Sequence, residues 1–88
     1  MTSKEVVVGH RLGLHARASG QLVRLSETFS SEISLSRADA NSDVEADARS
    51  ILSILLLAAG QGIRVRVRAE GNDEQEAVDA ICQYLASP

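Results

Sequence analysis

Aromatic side chains are almost missing from this 88-residue chain: Phe29 and Tyr84 are the only two, and there is no tryptophan. With 44% of the residues apolar, the core must be aliphatic, built from Val, Ile, Leu and Ala. Cysteine is also scarce. Cys82 stands alone, which excludes an internal disulfide and fits a reducing, cytoplasmic setting. Two histidines and one cysteine without recurrent spacing do not make a zinc site, so no metal and no cofactor are expected. A basic excess is lacking too: nine Lys and Arg face twelve Asp and Glu, for a net charge of −3. That balance argues against a nucleic-acid partner held through phosphates. Residues 1–5 lack the apolar stretch of a signal peptide. The apolar run over 51–59 is too short to cross a bilayer, so no membrane association is expected.

What is present reads as one domain over residues 1–88, small enough to bury only about 60–65% of its chain surface. Val6 and Val8 mark a first strand over residues 4–9. Gly9 to Gly13 form a loop. Ala18, Leu22, Leu25 and Phe29 then recur at helical spacing and predict a helix over about 16–28. Ile33 and Leu35 alternate with polar residues in a second strand. The segment Ala38-Asp39-Ala40-Asn41-Ser42 is turn-rich, and Val44 and Ala46 give a short third strand. Residues 49–59 are apolar and helical, with Gly60-Gln61-Gly62 as the stop. Ile63, Val65, Val67 and Ala69 alternate with Arg64, Arg66 and Arg68, which predicts a fourth strand with a row of arginines on its wet face. Asn72, with Gln75 three residues on, has the pattern of a capping box, and Val78, Ile81, Cys82 and Leu85 form the stripe of a last helix. The order is βαββαβα. Alternation in every strand favours an antiparallel sheet with helices on one side.

The segment Gly13-Leu14-His15-Ala16-Arg17 carries the chemistry. Imidazole offers a neutral nucleophilic nitrogen near neutral pH. A helix start offers unpaired N–H groups, here those of Ala16 and Arg17, to a phosphoryl dianion. Arg17 adds a fork of donors that fits phosphate oxygens. A cation in the first turn opposes the helix dipole, and a bound phosphate would compensate it.

This motif resembles the active-site motif of the HPr family, the histidine phosphocarriers of the bacterial phosphotransferase system. The likeness extends to the chain length, the depth of the histidine, the block Asp47 to Gly62 and the strand Ile63 to Gly71. The resemblance implies an α+β fold, an HPr-like open-faced β-sandwich. In it a four-stranded antiparallel sheet is covered on one face by three helices. It further implies phosphorylation of His15 at Nδ1, enzyme I as donor and enzyme IIA proteins as acceptors, so that the chain is a carrier and not a turnover catalyst. One departure stands out: Ala18 occupies the place where the family usually has proline. Alanine restores the N–H that proline lacks and is a good helix former.

The helix 50–59 is apolar all the way round, so part of it must face solvent, and an exposed apolar patch marks a partner site. The resemblance assigns Ile54 and Leu57 to the core and Ile51, Leu52 and Leu55 to a docking surface near His15. Ser50 reads as a cap. It also matches the serine that a regulatory HPr serine kinase modifies in some members, so that kinase is a further implied partner. An alternative is a regulatory HPr-like binding module controlled through Ser50 or the 50–59 face. A small ligand-binding or structural domain is a third reading. Cys82 is expected in the core and His10 in a loop, and a monomer is expected because no second interface is visible.

Overall fold

The computed structural model describes residues 1–39 and 44–88. Of the turn-rich segment at 38–42, residues 40–42 lie outside the described part. The elements run β1 (Thr2–Val7), α1 (Ala16–Ser26), β2 (Glu32–Arg37), β3 (Ala46–Asp47), α2 (Ile51–Leu57), β4 (Arg64–Glu70) and α3 (Glu74–Ala86). The four strands form one antiparallel sheet in the order β1-β4-β2-β3. This is the α+β open-faced sandwich that the alternation and the resemblance imply.

β4 shows why one side is covered. Val65, Val67 and Ala69 are buried, while Arg64 and Arg66 point outward and share Glu5 on the neighbouring strand, at 3.8 and 2.9 Å. Arg68 pairs with Glu45. The covered side holds an aliphatic core with Leu22, Leu35, Ile54, Val78, Ile81 and Leu85 at its centre. Cys82 is not inside it. It lies half-buried on the rim, where partial burial pushes its thiol above the ordinary range.

Element boundaries differ from the periodicity in instructive ways. β1 spans Thr2–Val7 instead of 4–9 because its partner β4 begins at Arg64, opposite Val7. Gly9 then leaves the ladder and donates to the Leu85 carbonyl at the end of α3 (2.8 Å). α1 stops at Ser26, and Thr28 and Phe29 continue it only through tight bonds to Leu25 and Ser26. Its inner face includes Ser19 and Ser26, both fully buried, which an apolar pattern misses. Each hydroxyl is satisfied by a backbone carbonyl, Leu14 at 3.1 Å and Leu22 at 2.8 Å, so burial carries little penalty. β3 is only two residues long, and Val44 lies outside it, exposed.

α2 is shorter than expected. It covers Ile51–Leu57 and ends before the glycines, at Ala58 in the left-handed conformation (φ 53°). α3 is not capped by Asn72 and Gln75. Its N-cap is Asp73, whose carboxylate reaches out of the helix to accept from the Ser30 and Ser31 N–H groups at 2.9 and 3.0 Å and from the Ser31 hydroxyl. The next residue, Glu74, accepts from the Thr2 hydroxyl at 2.6 Å, pairs with the terminal amine at 3.0 Å and accepts from the Gly71 N–H. The start of α3 thus ties together the start of β1 and the approach to β2.

These two helix ends can be tested by stability measurements. A left-handed alanine costs roughly 1–2 kcal/mol, and glycine is free of that strain. Ala58→Gly should therefore raise stability by about 1 kcal/mol and the melting temperature by about 4–8 °C, read by calorimetry.

Hydrogen bonds from Ser31 and Ser30 lower the Asp73 carboxyl to about 2, and those from Thr2 and the terminal amine lower Glu74 to about 2, from ordinary values of 3.8 and 4.5. Depressed carboxyls stabilise the fold above their unfolded values, and the contribution is lost as pH falls through the folded ones. The urea midpoint should decline between about pH 4.5 and 2, and Asp73→Asn should flatten part of that decline.

Candidate functional site

His15 is the N-cap of α1, with extended backbone (φ −77°, ψ 180°). The chain is gripped just before it. Gly13 adopts φ 71° and donates to the His10 carbonyl at 2.9 Å. A side chain at Gly13 would meet the Gly60 Cα at 2.7 Å and the Ala59 oxygen at 2.8 Å, so only glycine fits. Leu14 is buried and donates its N–H to the Ala59 carbonyl (3.0 Å). Its own carbonyl accepts the Ser19 hydroxyl, and the His15 carbonyl accepts the Ser19 N–H at 2.8 Å. The early end of α2 at Ala58 is what frees Ala59 for this contact.

The imidazole is half-exposed, and its Nδ1 accepts the Arg17 N–H at 3.2 Å. A nitrogen that accepts carries a lone pair, and in this tautomer the lone pair of the neutral ring is on Nδ1. The N–H of Ala16 has no acceptor among the described residues. Arg17 is exposed, and its guanidinium has no carboxylate or other partner among the described residues. No acidic residue sits in the first turn of α1. A nucleophilic nitrogen, helix-start donors and an uncommitted guanidinium therefore share one short stretch of surface.

Two further residues brace this stretch, and the sequence gives little reason to single them out. The Tyr84 hydroxyl lies 3.0 Å from the Ala18 carbonyl and 2.9 Å from Gln21 Oε1. His10, a loop residue as expected, donates from Nε2 to the Tyr84 carbonyl at 2.8 Å and packs on the Tyr84 ring, with centroids 4.7 Å apart. One tyrosine in a last helix has no pattern to point to its partner.

Ile54 and Leu57 are buried, whereas Ile51, Leu52 and Leu55 are 44%, 68% and 37% exposed. The face also takes in Leu56, 73% exposed, which follows Leu52 by one helical turn. This face adjoins α1: a Cβ on Gly20 would lie 4.0 Å from Ile51 Cδ1. Ser50 caps α2, its hydroxyl accepting from the Ser53 N–H at 3.2 Å.

A concavity of about 490 Å³ lies elsewhere, lined by residues such as Glu32, Ser34, Asp47 and Arg68. His15 lies outside it, half-exposed at the start of α1. Among the described residues no three His, Cys, Asp or Glu side chains gather to hold a metal, and no helix is long and apolar enough to cross a membrane.

A family model described as the PTS HPr component phosphorylation site matches residues 2–87. The phosphocarrier protein HPr of Cupriavidus necator is 39% identical over 87 residues, covering 99% of this chain and 93% of that protein. The phosphocarrier protein NPr of Proteus mirabilis is 40% identical over 84 residues, covering 96% and 90%. Among solved structures, the phosphocarrier protein HPr of Bacillus anthracis superposes with a TM-score of 0.86 at 30% identity, over 96% of this chain and 95% of that one.

Proposed function

We propose that this chain, which belongs to the HPr family of phosphotransferase-system phosphocarriers, carries its phosphoryl group on Nδ1 of His15. The observation that carries the reading is the contact of the His15 Nδ1 lone pair with the Arg17 N–H in the first turn of α1. Enzyme I, itself phosphorylated on a histidine, is the donor. The Nδ1 lone pair of His15 forms a new N–P bond as the donor's N–P bond breaks, and the electron pair of the broken bond stays on the donor imidazole. The Arg17 N–H, released from the lone pair, turns to a phosphoryl oxygen beside the Ala16 N–H, and the Arg17 guanidinium balances the remaining charge. The reverse sequence delivers the group to a histidine of an enzyme IIA protein.

Both partners must reach the same nitrogen, so they use one docking face in turn. Ile51, Leu52 and Leu55 form its apolar part, at the small end of the interface range. The chain works as one 1–88 domain, as a monomer and in the cytoplasm. Ser50 is a regulatory target where a serine kinase is present: a phosphate there would add about two negative charges beside the docking face.

Incubation with phosphoenolpyruvate and enzyme I should give an acid-labile, base-stable adduct, because a phosphoramidate hydrolyses once its nitrogen is protonated. His15→Ala should abolish it, while Ser50→Ala and His10→Ala should keep it. Arg17→Ala should slow transfer roughly 10- to 150-fold, the worth of a charge-assisted bond of about 1.5–3 kcal/mol. No adduct on the wild-type protein would overturn the carrier reading in favour of a regulatory module.

Leu52→Glu places a charge in the exposed apolar face. It should weaken binding to enzyme I while changing the melting temperature little, as surface substitutions usually cost under ~0.5 kcal/mol. Titration calorimetry beside thermal unfolding separates the two effects. A fall in stability with unaltered affinity would make this face structural.

A further inference from the structure

The backbone of Ala18 offers what its side chain cannot. Ala16, Arg17 and Ala18 are the first three residues of α1, and helix geometry gives none of their N–H groups an acceptor within the helix. The Arg17 N–H is taken by His15 Nδ1 at 3.2 Å. Ser19 is the first whose N–H is satisfied by the backbone, through the His15 carbonyl at 2.8 Å. Between them, the Ala18 N–H has no acceptor among the described residues, although Ala18 is only 3% exposed. A buried donor without an acceptor is costly and uncommon.

We propose that the Ala18 N–H is a third backbone donor to the phosphoryl group on His15, beside those of Ala16 and Arg17. This rests on the carrier reading above. An N-cap side chain ordinarily reaches the N–H of the second or third helical residue. Here His15 reaches the second, so a group extending beyond Nδ1 comes within range of the third. The first turn is held in place for this contact, because the Tyr84 hydroxyl bonds the Ala18 carbonyl at 3.0 Å. A proline at this position, as the resemblance would have it, has no N–H to give. With alanine, the chain binds its phosphoryl group with one more donor, which lowers the transfer potential of the phosphohistidine.

The test is amide NMR of the ¹⁵N-labelled protein before and after phosphorylation with phosphoenolpyruvate and enzyme I. The Ala18 amide proton should move downfield together with that of Arg17. Ala18→Pro removes the N–H while keeping a helical φ in the first turn, and should shift the phosphorylation equilibrium about tenfold toward the free histidine, the effect of one charge-assisted bond. Ala18→Ser, which keeps the N–H, should stay within about twofold of wild type. An Ala18 amide that stays in place while Arg17 moves overturns the proposal, even if the proline variant fails to fold. So does a proline variant with an unchanged equilibrium. Absence of label on His15 overturns the carrier reading itself, and this inference with it.

Discussion

The bond from the Leu14 N–H to the Ala59 carbonyl is the contact on which the site depends. It pins the chain one residue before His15 to the end of α2, and the near-touching backbones of Gly13 and Gly60 leave the loop no room to slide. His15 therefore enters α1 in a fixed direction, and the first turn of that helix holds the Arg17 N–H against Nδ1. The left-handed Ala58 belongs to the same junction. Ending α2 there turns Ala59 inward, where it is buried, at the cost of local strain. One short junction thus sets both the orientation of the histidine and the position of the exposed apolar helix beside it.

Electrostatics complement this geometry through where the acids are. Twelve carboxylates outnumber nine cations, yet the start of α1 has none in its first turn. Several are committed to other parts of the fold: Glu5 to the arginines of the open sheet face, Asp73 and Glu74 to the start of α3, and Asp79 to Lys4. An acid beside His15 would compete with a phosphoryl group for Arg17 and for the helix N–H donors. These carboxylates are tied down away from the start of α1.

The parts that sequence made legible are those with a strong local pattern. β4 alternates without a break, and the apolar spacing after His15 marks the start of α1, where the structure has His15 as N-cap and Arg17 exposed in the first turn. The exposed face of α2 was legible because a helix apolar on every side cannot be wholly buried. Other features depend on contacts distant in sequence. Asp73 holds the N-cap position of α3 but gives its carboxylate to Ser30 and Ser31 instead of the helix, so its role is not encoded in the four residues of a capping box. Ser19 and Ser26 look like surface residues until their bonds to Leu14 and Leu22 are known. Ala58 gives no hint of a left-handed conformation, since glycine two positions later is the obvious candidate to end a helix. Tyr84 acts on Ala18 across 66 residues, a partnership that periodicity has no means to report.

The sheet order has a consequence for how the molecule comes into being. β4 is the last strand to be synthesised, yet it lies between β1 and β2. Until residues 64–70 have left the ribosome, β1 has no neighbour at all, and β2 has only the two residues of β3. A nascent chain that already displays His15 therefore has no sheet beneath it. Folding waits for nearly the whole polypeptide, and β1 then pairs with a strand from the far end of the chain, the kind of non-local closure that slows folding. The helix start that carries His15 therefore gains its supporting sheet only when the chain is almost complete, and copies cut short before β4 lack it.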